Sequence, residues 1–147
     1  MASREEEDAV AATGSKTVLV IDDDPDFVGY VEIILSANGY RVYTAEGADQ
    51  GLDVARAVSP DLVMVDLMMS YGLAGNTVTR ELGRDPALKD VSVLMVSAIV
   101  SDCEDEIVPR GEDAHVDAFM VKPLDPSELL ARVAELVGDP PVSGREP

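Results

Sequence analysis

Apolar residues follow two different spacings along the chain. Short continuous or β-branched runs have the length of strands, and they lie at residues 17–21, 40–45, 62–65, 91–97 and 118–122. In the segments that follow the runs at 17–21, 40–45, 62–65 and 118–122, apolar residues recur at helical spacing, which predicts helices over 25–38, 46–58, 75–84 and 126–137. Strands that alternate with helices are typical of α/β proteins with a parallel sheet.

Residues that begin and end helices support these boundaries. Asp24 can cap a helix whose first residue is Pro25, and Gly39 can end that helix. Asp125 can cap the last helix, with Glu128 as its capping-box partner. Because parallel neighbours need right-handed helical crossovers, the pattern predicts an α/β fold with a doubly wound, five-stranded parallel sheet.

The two ends of the chain lack this periodicity. Residues 1–16 are small, polar and acidic, and residues 138–147 contain several prolines and glycines. We expect both ends to be disordered, which leaves a single folded domain at residues 17–137. The length of 147 residues agrees with one domain.

The net charge is −18, from 29 acidic and 11 basic residues. An acidic surface repels phosphate backbones and anionic lipids, so we expect no direct binding to nucleic acid or membrane. No apolar run approaches the roughly 20 residues of a membrane span and no secretion signal is visible, which predicts a cytoplasmic protein. The single cysteine, Cys103, and the single histidine, His115, cannot form an internal disulfide or a His/Cys metal site, and we expect them at the surface or in loops.

Polar residues stand at the carboxyl ends of several predicted strands. In a flavodoxin-like strand order, 2-1-3-4-5, strands one and three flank the switch point, so Asp22, Asp23 and Asp66 should converge there. Taken alone, Asp66 could equally cap a turn. Carboxylates about 4 Å apart repel by up to about 4 kcal/mol at an effective dielectric of about 20, so a cluster of three is expected to bind a cation. Hard oxygen ligands favour Mg²⁺.

Ser97 and Lys122 end the fourth and fifth predicted strands, within reach of a phosphoryl group bound beside that cation. Each has a simpler interpretation: Ser97 as an ordinary strand end, and Lys122 as a solvated charge. Their common position at the carboxyl edge, together with the acidic residues, favours a functional site.

Four stretches resemble the receiver domain of two-component response regulators: VLVIDDDPDF, PDLVMVDLMM, DPALKDVSVLMVSA and DAFMVKPLDPSELLARV. The resemblance covers residues 17–137. It implies that Asp66 is the phosphoacceptor. It also implies that Asp22 and Asp23 bind Mg²⁺, with help from Asp66 and from the backbone carbonyl of Met68.

The same resemblance assigns four further roles. Ser97 would bind one phosphoryl oxygen and Lys122 another, Phe119 would be the switching aromatic residue, and the peptide bond between Lys122 and Pro123 would be cis. A histidine kinase or phosphotransfer protein would donate the phosphoryl group, and an unknown output protein would be contacted in trans, as in stand-alone receivers. The domain would be a monomer or weak dimer. It would not be an enzyme beyond catalysing its own aspartyl phosphorylation and dephosphorylation.

Two segments depart from the family pattern. The loop at residues 70–76 has roughly one extra residue, and residues 101–116, where the family has a helix, are interrupted by Pro109 and Gly111. Two alternatives to an ordinary receiver stay open. One is a degenerate receiver that acts only as a binding module; the other is a haloacid dehalogenase-like phosphatase with Asp22 as nucleophile, which leaves Asp66 without a role.

Overall fold

A computed structural model describes residues 16–67, 74–98 and 116–138. These residues form one parallel sheet of five strands in the order β2-β1-β3-β4-β5. The strands are β1 (Thr17–Ile21), β2 (Arg41–Ala45), β3 (Leu62–Asp66), β4 (Ser92–Ser97) and β5 (Ala118–Val121). The described helices are α1 (Pro25–Ala37), α2 (Ala48–Val58), α3 (Ala74–Arg84) and α4 (Pro126–Val137). The predicted fold class and strand order are confirmed.

Each face of the sheet buries its own hydrophobic core. Alternate strand residues such as Leu19 and Val63 pack with residues of α2 and α3, including Leu52 and Leu82. The residues between them in the strands pack with α1 and α4 on the other face. Every residue of β3 is buried, which explains why its apolar run is continuous rather than alternating.

Side-chain caps fix the beginnings of α1 and α4. The Asp24 carboxylate accepts hydrogen bonds from the amides of Asp26 and Phe27, and the Asp125 carboxylate accepts one from the amide of Glu128. Gly39 follows α1 at a φ of 97°, in the left-handed region that favours glycine. The capping residues predicted from the sequence are therefore found at these ends.

Several predictions fall on residues outside the described ranges. Cys103 and His115 are among them, and so are nearly all of the two predicted disordered ends, so these expectations stay predictions. Among the helices that the structure does describe, none combines the length and the apolar character that a membrane span requires.

Gly51 allows α2 to lie close against β1. A Cβ atom on Gly51 would lie 2.8 Å from Cγ1 of the buried Ile21, whereas a Cβ on Gly29 in α1 would meet nothing within 4 Å. We expect Gly29→Ala to raise the free energy of unfolding by about 0.5–1 kcal/mol, because alanine favours helix. Gly51→Ala should lower it by about 1–2 kcal/mol, because overpacking outweighs that gain. Urea denaturation measures the free energy of unfolding of both variants. If Gly51→Ala stabilised the protein as much as Gly29→Ala, the close approach of α2 to β1 would be contradicted.

Candidate functional site

The sheet register places two acidic segments side by side at its carboxyl edge. Ile21 at the end of β1 pairs with Val65 of β3, so Asp22, which follows β1, and Asp66, the last residue of β3, are the next residues after this pair. The amide of Asp22 donates to the carbonyl of Ala45 (3.0 Å), and the amide of Leu67 donates to that of Val96 (2.8 Å). Backbone bonds to β2 and β4 thus hold both acidic segments in place.

Asp22, Asp23 and Asp66 form a cluster of carboxylates. Each offers one oxygen, and these oxygens lie within 4.8 Å of one another. Asp22 is 2% exposed and Asp66 6% exposed, while Asp23 is half-buried. Buried carboxylates so close together repel strongly without a counter-charge. A small set of hard oxygen ligands, one of them half-buried, fits Mg²⁺.

Both carboxylate oxygens of Asp22 have defined partners. Oδ1 accepts a hydrogen bond from the amide of Asp24 (2.9 Å), and Oδ2 accepts one from Nζ of Lys122 (2.9 Å). Asp22 is also buried, whereas Asp23 is half-buried and therefore more accessible to solvent. The two neighbouring aspartates are therefore not equivalent.

Lys122 lies between two of the carboxylates. Its Nζ is 2.9 Å from Oδ2 of Asp22 and 3.6 Å from Oδ2 of Asp66. Burial lowers the pKa of Lys122, but the hydrogen bond to Asp22 and the charges of Asp22, Asp66 and Asp24 outweigh it, so the net pKa is raised. The side chain therefore stays a cation at neutral pH, beside the carboxylate that is predicted to be the phosphoacceptor.

Two contacts from α1 to this region were not predicted from the sequence. Nζ of Lys122 lies 4.1 Å from the centroid of the Phe27 ring, and the hydroxyl of Tyr30 donates to the carbonyl of Leu124 (2.8 Å). The sequence pattern identified Phe27 only as an inward-facing apolar position of a helix. The sequence does show an aromatic residue three positions after the capping Asp24. It does not show that this ring meets Lys122, which is far away along the chain.

Ser97 and Phe119 lie on the neighbouring strands. Ser97 is buried at the end of β4, and its carbonyl accepts a hydrogen bond from the amide of Lys122 (2.8 Å). Phe119 is half-buried in β5, pairs in register with Met95 and packs against the core that α2 and α3 cover. The peptide bond between Lys122 and Pro123 is cis.

The structure brings Asp22, Asp23, Asp66 and Lys122 together, with Ser97 at the adjacent strand end. Met68, whose carbonyl was predicted as a metal ligand, lies outside the described residues. The same holds for residues 70–73 and 101–115 of the two departing segments.

Comparison with known proteins identifies the family of this domain. A family model of the response regulator receiver domain matches residues 18–134. RpaA of Synechocystis sp., a DNA-binding dual master transcriptional regulator, is 39% identical over 120 residues, which cover 82% of this chain and 48% of RpaA. The chain thus spans about half the length of this relative.

Two solved structures share the fold. The chemotaxis protein CheY4 of Vibrio cholerae has a TM-score of 0.74 at 23% identity, over 83% of this chain and 98% of CheY4. The receiver domain of the sensor histidine kinase PA1611 of Pseudomonas aeruginosa PAO1 has a TM-score of 0.74 at 22% identity, over 85% of this chain and 99% of that domain. The family model matches most of the chain, which shows that the chain belongs to the response regulator receiver domain family.

Proposed function

We propose that this chain accepts a phosphoryl group on Asp66, with Mg²⁺ bound, from a histidine kinase or a phosphotransfer protein. The arrangement of charges around Asp66 supports this function most strongly. The buried Asp66 carboxylate has the Lys122 ammonium 3.6 Å away, and it shares a cluster with two further carboxylates. A phosphoacceptor needs a nucleophilic oxygen beside groups that neutralise phosphoryl oxygens, and both are present.

Asp22, Asp23 and Asp66 would hold the metal ion, and the Met68 carbonyl is the additional ligand that the sequence predicts. When bound, Mg²⁺ supplies positive charge that neutralises the phosphoryl oxygens. The PA1611 receiver domain has a magnesium ion coordinated in its active-site cleft, which supports the same ion for this chain.

The protein residues act mainly by positioning and by charge. A carboxylate oxygen of Asp66 forms the new bond to phosphorus while the bond from phosphorus to the donor histidine nitrogen breaks and the imidazole leaves. The ammonium of Lys122 pairs with one phosphoryl oxygen, and the hydroxyl of Ser97 donates to another. The domain would act on its own phosphoryl group only, and we do not propose a separate enzyme activity.

The signal would leave the domain through protein contact. We propose that Ser97 moves toward the phosphoryl group and that Phe119 turns further inward, a shift between two packings of the same core. The output protein is unknown and would be contacted in trans by a monomer or weak dimer in the cytoplasm. RpaA is named as a DNA-binding regulator, but the acidic surface of this domain opposes direct contact with DNA.

Incubation with acetyl phosphate and Mg²⁺, followed by intact-protein mass spectrometry, tests phosphorylation. We expect the wild-type chain to gain one phosphoryl group that is lost in base, because an acyl phosphate is base-labile. Asp66→Asn should gain none, since the amide is not a nucleophile of comparable strength. Asp53→Asn is the matched control, because its side chain is 83% exposed on α2.

The alternatives predict different results. A phosphoryl group on Asp22 would favour the phosphatase hypothesis, and no uptake from any donor would favour a receiver that acts only as a binding module.

A further inference from the structure

Helix α1 contacts the segment that carries Lys122 at two points. The ring of Phe27 lies under the Lys122 ammonium, and one helical turn later the hydroxyl of Tyr30 binds the carbonyl of Leu124. Phe27 also packs against the core formed with Val31 and other residues on this face. The ring is therefore held by the core on one side and meets the cation on another.

Hydrogen bonds connect Phe27 to the acidic cluster as well. The amide of Phe27 donates to Oδ1 of Asp24 (3.4 Å), and the amide of Asp24 donates to Oδ1 of Asp22 (2.9 Å). The other oxygen of Asp22 binds Lys122 (2.9 Å), whose ammonium lies on the Phe27 ring. These four residues form a closed ring of contacts, so the position of the helix cap and that of the ammonium depend on each other.

We propose that Phe27 is a positioning residue for Lys122, which holds the ammonium beside Asp66 through a cation–π interaction. This inference rests on the proposed function, because it assigns Phe27 a role in the phosphorylation of Asp66. In this proposal the ring contacts Lys122 and not the transferred phosphoryl group. It acts through Lys122.

The electrostatics of an aromatic ring explain why an aliphatic side chain at position 27 would hold the Lys122 ammonium less well. The face of the ring carries partial negative charge and attracts an ammonium within about 6 Å, a limit that the 4.1 Å separation satisfies. Because the ring has no formal charge, it attracts the ammonium without binding Mg²⁺ as another carboxylate would. Lys122 has a long, flexible stem, and the ring restricts where its ammonium can lie.

The distances show that this contact is compatible with catalysis. While it lies over the ring, Nζ of Lys122 is already 3.6 Å from Oδ2 of Asp66. The ammonium therefore need not leave Phe27 to reach an oxygen of a phosphoryl group on Asp66. A ring that attracts the ammonium less strongly should leave fewer molecules with the ammonium beside Asp66. Phosphorylation should therefore be slower.

Fluorinated phenylalanines at position 27 separate this role from simple packing. One, two or three ring fluorines, introduced site-specifically, progressively weaken the negative face and change the shape little. We expect the single-turnover rate of phosphorylation by acetyl phosphate with Mg²⁺ to fall stepwise, by about two- to tenfold over the series. Thermal denaturation should show that the variants remain folded.

Nuclear magnetic resonance of lysine side chains supplies a second, independent measurement. The chain has three lysines, so selective labelling gives a simple spectrum. The ring should shift the εCH₂ signals of Lys122 upfield in the wild type and in Phe27→Tyr, and the shift should disappear in Phe27→Leu. The phosphorylation rate should follow the same order, with Phe27→Tyr close to wild type and Phe27→Leu slower.

If the wild type is phosphorylated and the rates stay equal or rise across the fluorine series, the proposed role of Phe27 is overturned, but the proposed function is not. An equally fast Phe27→Leu with no change in the Lys122 signals would do the same. A wild-type chain that takes up no phosphoryl group would instead overturn the proposed function, and this inference with it.

Discussion

Asp23→Asn is expected to weaken Mg²⁺ binding on the order of 100-fold, because it removes a full charge from a site with few protein ligands. The structure gives a reason to choose Asp23 over its neighbour. Asp22 is buried, whereas Asp23 is half-buried and therefore more accessible to an incoming ion. Isothermal titration with MgCl₂ measures the change.

Asp26→Asn is the matched control for that variant. Asp26 is exposed in the first turn of α1 and does not belong to the carboxylate cluster, yet its substitution changes the net charge equally. We expect Asp26→Asn to change Mg²⁺ affinity by about twofold or less, because exposed charges are screened by solvent and salt. Similar losses in both variants would show that net charge alone, and not a defined site, attracts the ion.

Lys122→Met is expected to change Mg²⁺ affinity and phosphorylation in opposite directions. The ammonium lies 2.9 Å from Asp22 and 3.6 Å from Asp66, so it repels a divalent ion that would share those carboxylates. Its removal should strengthen Mg²⁺ binding by about tenfold. The rate of phosphorylation should nevertheless fall about 100-fold, because a charge that stabilises the transferring phosphoryl group is lost.

The free energy of unfolding of Lys122→Met should depend on whether Mg²⁺ is present. Without metal, the variant should lose about 1–3 kcal/mol in the free energy of unfolding, since buried carboxylates are left without their cation. Added Mg²⁺ should restore most of that loss by binding the folded state. Lys89→Met, at an exposed position, serves as the control. A Lys122→Met variant with unchanged Mg²⁺ affinity would mean that the ammonium and the ion do not share Asp22 and Asp66.

The sequence predicted the carboxylate cluster because strand ends can be located from apolar runs. Once Ile21 and Val65 are recognised as the last apolar residues of neighbouring parallel strands, the topology alone places the following aspartates together. The capping residues Asp24 and Asp125 were likewise predictable, because they act on amides two or three positions away. Local chemistry and sheet topology thus account for most of the site.

Two strands begin one residue later than predicted, because the amide of the predicted first residue donates a hydrogen bond within the preceding turn. Tyr40 was predicted in β2, but its amide donates to the carbonyl of Leu35 (3.1 Å), and the strand begins at Arg41. Val91 was predicted in β4, but its amide donates to the carbonyl of Leu88 (3.1 Å). Apolar patterns do not show which partner an amide takes, so such ends cannot be derived from them.

The contact between Phe27 and Lys122 could not be derived for a related reason. Both residues fit their own local patterns, an inward-facing position of a helix and a charge after a strand. Their meeting depends on how α1 lies against the segment after β5, which tertiary packing decides. The different environments of Asp22 and Asp23 also depend on that packing, because Lys122 occupies one oxygen of Asp22.

The position of the phosphoryl group is the most direct test of the proposed chemistry. After incubation with acetyl phosphate and Mg²⁺, borohydride reduction converts an aspartyl phosphate to homoserine, and mass spectrometry of peptides then locates the converted residue. We expect homoserine at position 66 alone, and none in Asp66→Asn. Homoserine at position 22, or a phosphorylated protein without conversion at position 66, would contradict the assignment of Asp66 as the phosphoacceptor.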